Sequence, residues 1–97
     1  MIYSAEAERQ IDDFRRHYRA KGRVEAAQNL LAALAKAEAR IENEPAAGLP
    51  APRPFPTLRR DGRAWIKTGR YWIVYSVTRP PVVLGVFYDA ADIPNRA

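Results

Sequence analysis

The 97-residue sequence has no cysteine, one histidine and one methionine, and its five glycines are dispersed. Without cysteine there can be no disulfide, no thiol nucleophile and no thiolate metal site. The lone histidine, His17, lies beside an apolar helical stripe and reads as a surface or boundary residue rather than a ligand or base. No His/Asp/Glu group has metal-ligand spacing, no Ser–His–acid set can be assembled around one histidine, and no glycine-rich loop is placed to cradle a phosphate. No metal and no cofactor are therefore expected. No apolar run approaches the roughly 20 residues that span a bilayer, and Met1 to Glu6 lacks the basic and apolar regions of a signal peptide. The expectation is a single domain, 1–97, with no membrane association and a cytoplasmic location.

Acidic residues are scarce in one half. Residues 1–49 hold eight Lys/Arg and eight Asp/Glu, whereas residues 50–97 hold eight Lys/Arg and three Asp/Glu, so the whole net charge of +5 belongs to the second half. A basic half suggests an acidic partner, either nucleic acid or an acidic protein segment, against the plain alternative of solubilising charge.

The second half is also where the strands are expected. In Gly69–Val77, Tyr71, Ile73, Tyr75 and Val77 alternate with Trp72, Val74 and Ser76, a period-2 pattern that is apolar on both faces and predicts a central strand. Arg63–Lys67 precedes it across Thr68-Gly69, and Val82–Tyr88 follows it across Thr78–Pro81. Such short Gly- or Pro-marked links between strand-like runs predict an antiparallel meander with Arg70–Val77 in the middle.

In the first half, Met1–Tyr3 is a candidate first strand and Ser4 a candidate helix N-cap. Ala7, Ile11, Phe14 and Tyr18 form one helical stripe; Gly22 interrupts, and Ala27, Leu30, Leu31, Leu34, Ala37 and Ile41 form a second. So short a link predicts an antiparallel helical hairpin. Pro45–Pro56, with five prolines, reads as an extended surface connection, and Asp61-Gly62 as a turn. The segment after Tyr88 reads as a short tail folding back over the sheet edge. The predicted class is α+β, in the order β-α-α-β-β-β, with Ile11, Phe14, Leu30, Leu34, Ile73, Tyr75 and Val86 in one core.

This order, together with Gly69-Arg70-Tyr71-x-Ile73-x-Tyr75-x-Val77, Val83-Leu84-Gly85-Val86-Phe87-Tyr88 and Ala91-Asp92-Ile93-Pro94, resembles the RelE/ParE superfamily of toxins from bacterial type II toxin–antitoxin systems. The resemblance covers nearly the whole chain, and the Asp-Ile-Pro ending is more similar to the ParE branch. The RelE branch consists of ribosome-dependent mRNA endonucleases. A site of that kind needs a proton acceptor, a proton donor and cationic stabilisation of the phosphate. Lys67, Arg70 and Tyr88 are the residues that would furnish it here, but Trp72 stands three positions before Tyr75, where active RelE-like enzymes usually carry arginine. The ParE branch inhibits DNA gyrase.

The resemblance thus implies a ParE-like gyrase inhibitor neutralised by a cognate, ParD-like antitoxin with an acidic C-terminal segment, the two forming a hetero-oligomer. The alternatives are a RelE-like endonuclease and a degenerate, non-toxic member that still binds antitoxin. Arg59, Arg60, Arg63, Lys67 and Arg70 place five cations within twelve positions, opposed only by Asp61. With Trp72, and with Asp92 and Arg96 of the tail, they form the expected contact set for target or antitoxin. Trp65, Tyr71 and Trp72 could stack on bases, although packing in the sheet is the favoured reading.

Overall fold

Ser4 starts the first helix as its spacing predicts. Its hydroxyl accepts a hydrogen bond from the Ala7 N–H at 3.1 Å, satisfying one of the first-turn donors that a helix leaves unpaired. Helix α1 runs Ala5–Ala20 and helix α2 Val24–Asn43, with Gly22 in the left-handed region (φ 65°) at the turn between them. The computed structural model describes residues 1–90 and 93–96, the last two of these by backbone alone. None of the helices among these residues is long and apolar enough to cross a membrane.

Strands β1 (Ile2–Tyr3), β2 (Arg63–Thr68), β3 (Tyr71–Ser76) and β4 (Val82–Tyr88) form one sheet in the order β1-β4-β3-β2. The last three are the predicted antiparallel meander, with Ile73 opposite Ile66 on one side and Val86 on the other. The first strand joins parallel to β4, Ile2 beside Val82 and Tyr3 beside Val83, which makes the sheet mixed. The β2–β3 connection is a two-residue turn, Gly69-Arg70, whose glycine has φ 57° and so meets no Cβ penalty there. Its second residue puts Arg70 at the hairpin tip.

Both helices pack on one sheet face. Leu30, Ala33, Leu34, Ala37 and Ile41 of α2 meet Ala64, Ile66, Ile73, Tyr75 and Val86, with Ala7 and Tyr18 buried and Ile11 and Phe14 half-buried along α1. All seven residues expected in the core belong to this cluster. Leu31, counted in the second helical stripe, is instead 54 % exposed. It lies a full 100° round the helix from Leu30, off the line that Leu30, Leu34, Ala37 and Ile41 follow.

The opposite face is covered too. Trp65, Trp72, Val74, Phe87 and Ile93 form a second cluster, with Leu49, Phe55 and Leu58 packed against it. The Pro-rich stretch is therefore more than an extended surface connection. It contains two short 3₁₀ turns, Pro45–Ala47 and Pro56–Leu58, and buries Ala51 and Pro52. Leu49 exchanges both main-chain hydrogen bonds with Trp65 at 2.7 Å, and the Tyr75 hydroxyl donates to the Pro45 carbonyl at 2.6 Å. The tail folds over this face rather than over the sheet edge: a final helical turn, α3 (Ile93–Arg96), buries Ile93 completely.

Candidate partner-binding groove

Where α1 and α2 lie over the β3–β4 end of the sheet, they leave a groove of about 1000 Å³. Its floor is aromatic. Phe14 meets Tyr71 edge-on at 5.4 Å, Tyr71 meets Tyr88 edge-on at 5.8 Å, and the Tyr18 and Tyr71 hydroxyls are hydrogen-bonded at 2.5 Å. Edge-to-face contacts of this kind stabilise beyond the area they bury, so the floor is preformed. Burial, reinforced by the bond to Tyr18, pushes the Tyr71 phenol well above its ordinary pKa and keeps it protonated.

The groove's walls differ in charge. Helix α1 contributes Glu6, Gln10 and Asp13, whereas α2 and the β2–β3 turn contribute Asn29, Lys36 and Arg70. Arg23, at the hairpin turn, lies over the Tyr18 ring at 5.7 Å, and Arg70 lies over Tyr88 at 5.2 Å. Glu6 pairs with Arg9 one turn along the helix. Among the described residues, Asp13, Lys36 and Arg23 have no ion-pair partner.

At the corner beyond the groove, Asp89 gathers two of the predicted cations. Its Oδ2 is 3.0 Å from Arg70 Nε and 3.4 Å from Lys67 Nζ. The hydrogen bond from Arg70 is the main cause holding the Asp89 carboxyl below its usual range; burial opposes the shift and Lys67 reinforces it. Among the described residues, Asp89 Oδ1 is buried with no hydrogen-bond partner. The carboxylate is thus committed to the corner that Lys67 and Arg70 share.

A family model described as ParE toxin of type II toxin–antitoxin system, parDE, matches residues 1–88. The chain belongs to the ParE toxin family. No curated protein matches it at a significant level. The strand–hairpin–meander order and the loop-covered sheet are thus the frame of a ParE-family toxin, and an antitoxin protein is its implied partner.

In this toxin the expected contact residues fall into separate places. Arg59 and Arg60 are exposed in the approach to β2, and Arg63 is exposed at its first position. Lys67 lies four positions further along the strand, about 13 Å away at the usual strand rise. The five cations are therefore two groups at opposite ends of β2, and of the five only Arg70 lines the groove. Arg63 and Lys67 alternate with Ala64 and Ile66 of the helix-facing core, so they share the Trp65 face.

Trp72, expected as a contact residue, is 4 % exposed and packed with Trp65, Val74 and Phe87. It is a core residue of the second face, because the loop and tail close over it. Trp65 and Tyr71 are likewise buried at 3 %, which corrects any expectation of base stacking. Tyr88 is half-buried, with Arg70 over its ring. Asp92 lies outside the described residues, and nothing is described of the Arg96 side chain. Sequence reasoning missed Asp13, Lys36 and Arg23. The available signal was Lys36 itself, a lone cation between Ala35 and Ala37 on an otherwise apolar helix segment.

Proposed function

We propose that this toxin inhibits DNA gyrase and is silenced by direct binding of a cognate, ParD-like antitoxin, gyrase placing its action in the bacterial cytoplasm. The observation that carries the choice of target is the Asp89 carboxylate between Lys67 and Arg70. A nuclease would need those cations free to meet the crowded phosphate of its transition state. Here a fixed anion already answers both, and an incoming phosphate would be repelled by it. Trp72 adds to this: where active RelE-like enzymes usually carry arginine, this chain has a buried indole.

One observation favours the second reading, a ribosome-dependent mRNA endonuclease. Lys67 and Arg70 do meet at Asp89, and Arg70 lies over the Tyr88 ring, so displacing Asp89 would free two cations, one of them beside a phenol. A parallel assay separates the readings. Purified protein is tested for inhibition of gyrase supercoiling with accumulation of cut DNA, and for message cleavage on ribosomes. We expect inhibition in the first and no cleavage in the second. Message cleavage abolished by Lys67→Ala would reverse the choice.

For the antitoxin, the groove supports docking better than the arginine-rich approach to β2 does. It combines an aromatic floor with exposed cations, and Arg59, Arg60 and Arg63 do not line it. Preformed aromatic pockets are where binding energy concentrates, while exposed rim charges mainly accelerate encounter.

A further inference from the structure

Four exposed arginines, Arg59, Arg60, Arg63 and Arg79, come to the end of the sheet that lies away from the groove. Arg63 opens β2 opposite Ser76, and the Val77 N–H donates to the Gly62 carbonyl at 2.8 Å, which carries the pairing one step past the strands. The turn before β2 and the link after β3 therefore leave the sheet side by side. Both are fixed. The Arg63 N–H donates to the Arg60 carbonyl at 3.3 Å around Gly62 (φ 75°), so Arg60 and Arg63 are corners of one turn. On the other side, the Thr78 hydroxyl donates to the Pro80 carbonyl at 2.8 Å and is hydrogen-bonded to the Ser76 hydroxyl at 2.9 Å, which closes the link around Arg79. Tyr71 and Tyr88, on the groove floor, pair at the opposite end of β3, about 17 Å from Ser76 at the usual strand rise.

On these two connections the four arginines face one carboxylate, Asp61, and among the described residues none of the five forms an ion pair. Like charges so placed repel one another, and a polyanion relieves that cost. We propose that this arginine end grips the phosphate backbone of duplex DNA, without reading its sequence, and so holds the toxin to the DNA on which gyrase works. The inference rests on the gyrase reading for where the contact is made, though not for the contact itself. A guanidinium fork matches phosphate oxygens, and a duplex backbone asks only for cations on a projecting edge. A protein segment asks for more, because its binding energy concentrates in anchors buried in pockets. None of the four arginines lines the groove, and Val77, 42 % exposed, is the only large apolar side chain exposed on either connection. Single strands fit less well than a duplex: both tryptophans are buried, so no indole is offered for stacking on unpaired bases.

The test uses the full chain and a short DNA duplex of arbitrary sequence, with binding followed by fluorescence anisotropy across a salt series. With about three or four phosphate contacts, affinity should fall roughly 40- to 150-fold between about 50 and 200 mM salt, since each contact adds about −0.9 to the logarithmic slope. Arg60→Gln, Arg63→Gln and Arg79→Gln should each make that slope shallower by about one. Arg16→Gln removes the same charge from the exposed surface of α1, two positions from Tyr18, and should leave the slope as it was. Circular dichroism confirms that each variant folds. An equal effect from Arg16→Gln would reduce the binding to net charge and overturn the proposal, as would absent or salt-independent binding. Tighter binding of an RNA duplex of the same sequence, or of an oligoglutamate of equal charge, would give the arginines to another partner and overturn it too. Gyrase is scored separately, where the triple Arg→Gln variant should need at least about tenfold more protein to accumulate the same cut DNA. A protein that binds the duplex through these arginines but leaves gyrase unaffected keeps the contact and loses the target reading. Undiminished accumulation of cut DNA by the triple variant would overturn the role proposed for the contact.

Discussion

The two faces of the sheet are closed in different ways. On one, two long helices bring regularly spaced apolar side chains onto Ala64, Ile66, Ile73, Tyr75 and Val86. On the other, the Pro-rich loop and the tail bring Leu49, Phe55, Leu58 and Ile93 onto two tryptophans and Phe87. Helices are stiff and cannot follow a twisted sheet to its end, so they leave a groove over the β3–β4 end. A loop free of regular structure moulds itself to the surface beneath. The face with the more regular cover is consequently the one with room for a partner.

The sharpest way to break this comparison is to hollow out each face in turn. Trp72→Ala should cost about 3–5 kcal/mol and Ile73→Ala about 2–5 kcal/mol, the range for emptying well-packed sites, read from urea melts of the purified protein. A near-zero loss at Trp72 would mean that the loop face is not a core. Next comes the seating of the loop itself. A Cβ added at Gly48 would lie 2.7 Å from the Ala64 Cβ and 2.5 Å from the Tyr75 hydroxyl, so Gly48→Ala should cost about 1–3 kcal/mol by overpacking. Its thermal midpoint should fall while activity at low temperature survives.

Smaller and dependent on pH is Asp89→Asn. The folded-state pKa of Asp89 is depressed, so its contribution is present above the ordinary carboxyl value of about 4 and disappears as pH falls through the folded value. The gap in melting temperature between Asp89→Asn and the unaltered protein should therefore be widest near neutrality and close in acid. A gap that persists at low pH would show that the carboxylate's charge is not what matters. Smallest of all is Leu31→Gln. With the side chain 54 % exposed, its effect should stay within about 0.5 kcal/mol, and a larger loss would place Leu31 in an interface.

Much of the fold was legible in the sequence because it rests on local rules. Ser4, Gly22, Asp61-Gly62 and Gly69 mark boundaries through their own backbone chemistry, and the alternation around Ile73 fixes its strand. The parallel seat of β1 was not legible, since two residues carry no pairing signal. The cover of the second face was not legible either. Prolines forbid regular structure without saying where the chain goes, and only the distant Trp65 shows what Leu49 pairs with. The candidate groove was the least legible part, for a similar reason. Clustering along the chain suggested Arg59 to Arg70 as one patch, but a strand spreads consecutive residues over distance and over two faces. The groove instead draws Asp13, Lys36 and Arg70 from three distant stretches.

The outer rim of β2 shows what such a closed cover implies. Leu49 occupies both outward main-chain groups of Trp65, and an Arg40 guanidinium donates to the Lys67 carbonyl at 3.2 Å. A bare rim would be a template that any extended chain can read, whatever its sequence. Covered at Trp65 and at the Lys67 carbonyl, this rim offers less of such a generic handle. In a cell that carries several related toxin–antitoxin pairs, discrimination must then come from side chains, where a few substitutions can insulate one pair from its neighbours.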